Sequence, residues 1–500
     1  MKKILTIFLT VCLIASALCI STFAADQPTG NVIRVSGLKS DGKLIRILED
    51  SDFEHGWNRA MVYASNFEFL KAEQYDRIVV DLLADWNANQ KGEFGSGEGF
   101  DWSTIYVPKK AIVTINMNGH TINRGLGNNN ELDGEVICIE QNADVIINGG
   151  KAGDPIARPD LASADVQFGT ITGGNSDNGA GGIHIRSNAN VTLNNVIIKN
   201  NIADDDDGAG IAMYDGVTLV MNGGGFVDNK NHSVVEGFGA AIYVYESTAK
   251  FENVLFQNNQ FTYSAGLGAV IDAYFGVVTM DECMVIGNGT KSDTAGTKGA
   301  RSTIVGTKSN FDIRNTTFTG NGSARKIDRG HGQWSLIHIS DSTLYIDTCT
   351  FHNNLAGGYG IESDGPSSSA DVSVVNSSFT DNAFCVWSGA SASFTNCTFN
   401  KNKTTDHTFF ISSTSARAKL TFTDCDMGDS TISESEQSQR VSFVDTDAVN
   451  GDLLGSIFGD GSLIMIVALL ALVTSVVSIG ISIYYNKKKA LPAASSTDKE

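Results

Sequence analysis

Basic residues are scarce: 36 Lys and Arg stand against 56 Asp and Glu, a formal net charge of −20. Phosphate contacts need clustered Lys and Arg, so nucleic acid is excluded as a partner of the body. Charge of either sign is thin, at 18% of residues, while 42% are hydrophobic. A chain of that composition can bury a core, which excludes wholesale disorder. Proline is rare, with six copies, and the turns fall instead to 52 Gly and to abundant Asn. Little of the body carries helical periodicity. Cysteine is sparse as well: eight in all, of which Cys12 and Cys19 fall in a leader.

The two ends point to a compartment. Residues 1–24 read as a signal peptide: Lys2 and Lys3 start it, an apolar run follows, and Thr22-Phe23-Ala24 offers small residues for cleavage after Ala24. Leu463 to Ile483 is 21 residues without a charge, inside an expected transmembrane helix over 462–485. Lys487, Lys488 and Lys489 follow it, and positive residues stay on the cytoplasmic side. The expectation is a single-pass cell-membrane protein. Its body is extracellular, 447–461 is a linker and 486–500 is a cytoplasmic tail.

Between the ends lies a repeat. Nine apolar anchors recur at Ile198, Phe226, Phe256, Val285, Phe318, Phe351, Phe379, Phe399 and Met427, about 29 residues apart. Three residues after each of the first eight stands Asn: 201, 229, 259, 288, 321, 354, 382 and 402. Five and seven residues before each anchor stand further apolar or small residues, alternating with polar ones as in a strand. A third apolar pair precedes them in several repeats, as in Ile211/Met213, Ile242/Val244 and Ile271/Ala273. Each repeat therefore holds about three short strands, which must bury their apolar slots against the next repeat. That describes a parallel β-helix. The Asn falls where the chain turns sharply, a place where its amide can tolerate the left-handed conformation and stack on its neighbours. A leucine-rich solenoid would need Leu slots and a helix or turn in each repeat, and the slots here hold Phe, Val and Ile. Ile112–Ile122, Asp144–Asn148 and Phe168–Ile171 extend the stack upstream as three irregular coils.

Residues 111–430 resemble the right-handed parallel β-helix (pectin-lyase-like) superfamily. Leu82-Leu83-Ala84-Asp85-Trp86, Ile105-Tyr106-Val107-Pro108 and Asn118-Gly119-His120-Thr121-Ile122 resemble the opening of β-helix surface proteins from Gram-positive anaerobes. The resemblance implies an all-β fold: a right-handed parallel β-helix solenoid over 106–446, with an N-terminal helical cap within 26–105 and the C-terminal transmembrane helix. It implies no single activity, because that superfamily spans lyases, hydrolases, adhesins and phage spikes. In the cap region Asp52 is placed to start a helix, with Phe53, Trp57, Ala60, Met61 and Ala64 on one face.

The chemistry-bearing signals are few. Cys283, Cys349, Cys397 and Cys425 share one repeat position with small residues, which reads as core packing. A bridge between Cys397 and Cys425 in adjacent coils is the alternative. Asp204, Asp205, Asp206 and Asp207 form the densest acidic cluster, a Ca²⁺ candidate competing with a solvated loop; no other cofactor is expected. Gly330-His331-Gly332 lacks the aspartate pair of a polygalacturonase. Beside the inward pairs of three consecutive repeats, Tyr214, Tyr245 and Tyr274 form an outward row. Tyr243 and Asp272 stand in the companion column, and Arg186 one coil earlier. Such a row suits sugar-ring stacking, or it is a ladder that stabilises the coils. The expected function is adhesin-like binding of a glycan or protein surface without catalysis. A polysaccharide lyase or hydrolase and a passive envelope spacer are the alternatives.

Overall fold

The computed structural model describes residues 30–64, 75–87, 105–126, 134–177, 179–204, 207–233, 237–262, 267–289, 302–322, 335–354, 359–364, 371–382, 385–388, 391–402, 409–411, 419–430 and 440–445. The architecture below belongs to one compact unit that ends at Ser442. The expected signal peptide and the apolar run of 462–485 lie outside the described residues. Among the described residues no helix is long and apolar enough to cross a membrane.

The unit is a parallel β-solenoid, and the three apolar columns of the repeat are its three long sheets. The residues five and seven before each anchor lie on the first sheet, as in Asn190–Asn194, Thr218–Asn222 and Thr248–Glu252. The first eight anchors lie on the second, an 11-stranded sheet, as in Val196–Lys199 and Leu255–Gln257. The earlier apolar pair lies on the third, also 11-stranded, as in Ile211–Tyr214, Ile242–Tyr245 and Ile271–Tyr274. Neighbouring turns pair in parallel with no offset, so like stacks on like: Ile211 on Ile242 on Ile271, and Phe318 on Phe351. Phe318, Phe351, Phe379 and Phe399 are all fully buried, with successive ring centroids 4.8, 4.6 and 5.0 Å apart and nearly parallel planes. Each such ring contributes roughly 1.5–3 kcal/mol by leaving water.

The ladder of asparagines forms as its position suggests. Asn259 donates Nδ2 to Oδ1 of Asn288 (2.9 Å), Asn288 to Asn321 (3.0 Å), Asn321 to Asn354 (3.0 Å) and Asn354 to Asn382 (2.9 Å). Each of these side chains is buried. The left-handed residue at this corner is the one before the ladder position: Asn200, Asp228, Asn258, Gly287, Gly320, Asn353 and Asp381 all have φ between 51° and 66°. The ladder amide is thereby released to bond along the stack. A second ladder, half-buried except at the buried Asn116, runs along the end of the first sheet, from Asn222 to Asn194 to Asn148 to Asn116 and on to Asp81.

Two features of the N-terminal part differ from the sequence expectation. Asp144–Asn148 and Gly169–Thr172 lie on the first and second sheets of the same turn, so the upstream copies make two turns where three were expected. Between them, residues 149–168 leave the stack and run along its corner: Ala157 N–H donates to Asn195 Oδ1, and Arg158 donates to the Glu282 carbonyl several turns away. Parallel stacking also begins earlier than residue 106, since Ile78–Asp81 pairs in register with Val113–Asn116.

Helix α1, Phe53–Ala64, starts at Asp52, whose Oδ1 accepts from the His55 N–H at 2.9 Å. This satisfies an otherwise orphaned donor of the first turn. Phe53, Trp57, Ala60 and Met61 are buried. Phe53 stacks on Trp86 at 4.8 Å, and Trp57 Nε1 donates to the Tyr106 carbonyl at 3.0 Å. The helix thus rests on strands of the first turns.

Candidate functional site

The third sheet carries the residues of interest on its outer face, in two columns. One column reads Ala212, Tyr243, Asp272, Val305, His338 and Glu362 on successive turns. The other reads Tyr214, Tyr245, Tyr274 and Thr307. Alternation predicts that both face outward, and they do. The second is partly open to solvent, whereas the first is buried except at His338, because segments that enter the sheet fold back over it. Phe238, on one such segment, stacks on Tyr243 at 5.6 Å. Ala180, Ala212 and Tyr243 form a small apolar cluster outside the main core, with Tyr214, Phe238 and Tyr245 against it.

The tyrosine row is real, and its geometry differs from a platform of ring faces. Tyr245 and Tyr274 lie 5.8 Å apart with planes only 9° from parallel, so they turn faces to each other. Tyr214 is tilted by 44° against Tyr245, at 6.3 Å. Edges and phenol hydroxyls are what the row offers to solvent. Tyr214 donates its hydroxyl to Oδ2 of Asp207 at 3.4 Å. His184 packs on Tyr214 at 5.5 Å. Burial, then the Arg186 guanidinium, hold the His184 pKa down at about 4, so this imidazole is neutral near pH 7. Arg186 sits at the end of the row and is paired with Glu140 at 3.0 Å. At the opposite end, Lys308 lies 5.0 Å over the ring of Phe275, which adjoins Tyr274.

Asp272 is the unusual member. It is 3% exposed, and among the described residues its Oδ2 has no hydrogen-bond partner. Burial, and then the negative charge of Asp207, raise its pKa well above the usual carboxylate range. Tyr243 beside it is raised as well, by burial and then by Asp207 and Asp272. The acid therefore tends to hold its proton and can act as a donor.

Of the four clustered aspartates, Asp204 and Asp207 turn to different partners. Asp204 turns to His232, whose Nδ1 lies 3.3 Å from Oδ1, and Asp207 turns to Tyr214. Asp205 and Asp206 lie outside the described residues. Among the described residues no group of three or more His, Cys, Asp or Glu could hold a metal ion.

Sequence reasoning missed the continuation of the buried column. Ser335 donates to Glu362 Oε2, and His338 Nδ1 lies 3.3 Å from the same oxygen. The signal was available: His338 lies between Ile337 and Ile339, as Asp272 lies between Ile271 and Ala273. Asp272 and Glu362 are three turns apart, about 14 Å at the strand spacing of a sheet. That exceeds the roughly 5–9.5 Å between the paired carboxyls of glycosidases. Gly330-His331-Gly332 lies outside the described residues.

The cysteines at the repeat position are free thiols. Cys349 donates its thiol to the carbonyls of Ile313 and Asp347, as Ser309 donates its hydroxyl to Ala273 and Thr307 at another corner. Thiol and hydroxyl thus serve alike in capping carbonyls at the turns. Cys397 and Cys425 are in contact on adjacent turns; their shared hydrogen bond lowers the Cys425 pKa and raises that of Cys397.

No family model, curated protein or solved structure matches the chain.

Proposed function

We propose that this chain is an extracellular, membrane-anchored β-helix protein that binds a glycan along the outer face of its third sheet, at Tyr214, Tyr245, Tyr274 and Asp272. The observation that carries this reading is Asp272: a carboxyl 3% exposed with an oxygen that no described group satisfies. Buried polar groups are almost always paired, and an orphan at the foot of a tyrosine row marks a place where the fold gives up stability. A ligand rich in hydroxyl or amine groups would satisfy it. The neighbouring phenols add donors and acceptors along three successive turns.

The test is a glycan-array screen of the full-length protein in non-ionic detergent. It is compared with a Tyr214→Ser, Tyr245→Ser, Tyr274→Ser triple variant whose circular dichroism is unchanged. Loss of the bound glycans in the folded variant is expected. Unchanged binding would make the row a structural ladder, and depolymerisation of any bound polysaccharide would replace the binding reading with an enzymatic one.

A further inference from the structure

The charge around the tyrosine row is one-sided. Asp207 accepts from Tyr214, Glu246 and then Asp215 act on Tyr245, and Asp272 stacks on Tyr243. Asp215 and Glu246 are exposed at the corner that follows the row. Against Asp207, Asp215 and Glu246 stand, among the described residues, two cations at the ends. Arg186 is held by Glu140, and Lys308 lies over Phe275. His184 is neutral near pH 7, so it adds no positive charge. A uronate-rich glycan would bring its carboxylates against Asp207, Asp215 and Glu246. That contact is repulsive, and at the exposed Asp215 and Glu246 it weakens with salt.

We propose that the row takes an oligosaccharide bearing protonated amines, of the glucosamine type, and rejects acidic glycans. This rests on the glycan reading above and narrows it. The ammonium groups would lie against Asp207, Asp215 and Glu246 while the sugar hydroxyls meet the phenols and Asp272. Charge-assisted hydrogen bonds of this kind are roughly twice as strong as neutral ones.

The experiment is isothermal titration of the full-length protein in non-ionic detergent with four hexamers: glucosamine, N-acetylglucosamine, galacturonate and lysine. The glucosamine hexamer should bind about tenfold more tightly than its acetylated form, and the galacturonate should not bind. The preference should vanish at about 0.5 M salt, where screening lengths fall to a few ångströms. It should also vanish in an Asp207→Asn, Asp272→Asn double variant. Glu246→Gln, at an exposed corner, should lose part of it without disturbing the buried site. Equal affinity for the amine and acetylated hexamers would overturn the charge inference and leave the glycan reading standing. Hexalysine binding as tightly as the amino sugar would reduce the site to bare electrostatics and overturn it too. Binding of no sugar hexamer would sink both.

Discussion

Asp272 gives the most direct measure of what the site costs the fold. Its folded pKa lies above the unfolded value near 3.9, so the sign follows from linkage. Well below that unfolded value both states hold the proton and the residue is neutral in effect. As pH rises, the unfolded chain ionises first while the folded carboxyl resists, and stability is lost through that window. Asp272→Asn keeps the shape without the acid. It should therefore match the parent at about pH 2.5 and melt higher than the parent at pH 7. Thermal melts at the two pH values check this. A variant that is less stable than the parent at pH 7 would mean that the carboxylate is ionised and partnered. A gain in stability at the expense of ligand binding is the pattern of a residue kept for function.

At the level of strands, inward and outward positions differ sharply in consequence. Phe318 is fully buried between stacked rings, whereas Asn310 is exposed and accepts a hydrogen bond from Thr343 that an aspartate could accept as well. Phe318→Asp places an unpaired charge in the core and should cost several kcal/mol. Asn310→Asp should stay within about 0.5 kcal/mol of the parent. Equal melting temperatures would mean that the register is misplaced. This register was legible because alternation separates Phe311 from Asn310 and because Asn at the turn repeats with the anchors. Less legible was anything decided by how loops return. Tyr243 and Tyr245 carry the same outward signature, yet Phe238 covers the first and leaves the second half-buried. The excursion of residues 149–168 split one turn into what periodicity alone counts as two. The second asparagine ladder ends at Asp81, in a segment whose parallel strand carries no anchor to mark it. Burial set by distant segments leaves no period in the local sequence, so the open and closed halves of the site could not be told apart.

For the whole molecule, the proposed role requires the solenoid to stand outside the cell. A stack of registered turns is a stiff body well suited to holding a binding face away from a surface. Its acidic composition would disfavour phosphate-rich polymers as partners. The proposed orientation rests on Lys487, Lys488 and Lys489 directly after the 21 uncharged residues, since cytoplasmic flanks carry the lysines. Protease added to intact cells should therefore remove the solenoid epitope and leave a short cell-bound fragment that carries the C-terminal residues. Cutting should fall in connecting segments, because strands paired on both sides resist local opening. A solenoid that stays protected until the cells are lysed would place it inside, and with it any glycan site on the third sheet would lose access to extracellular ligands.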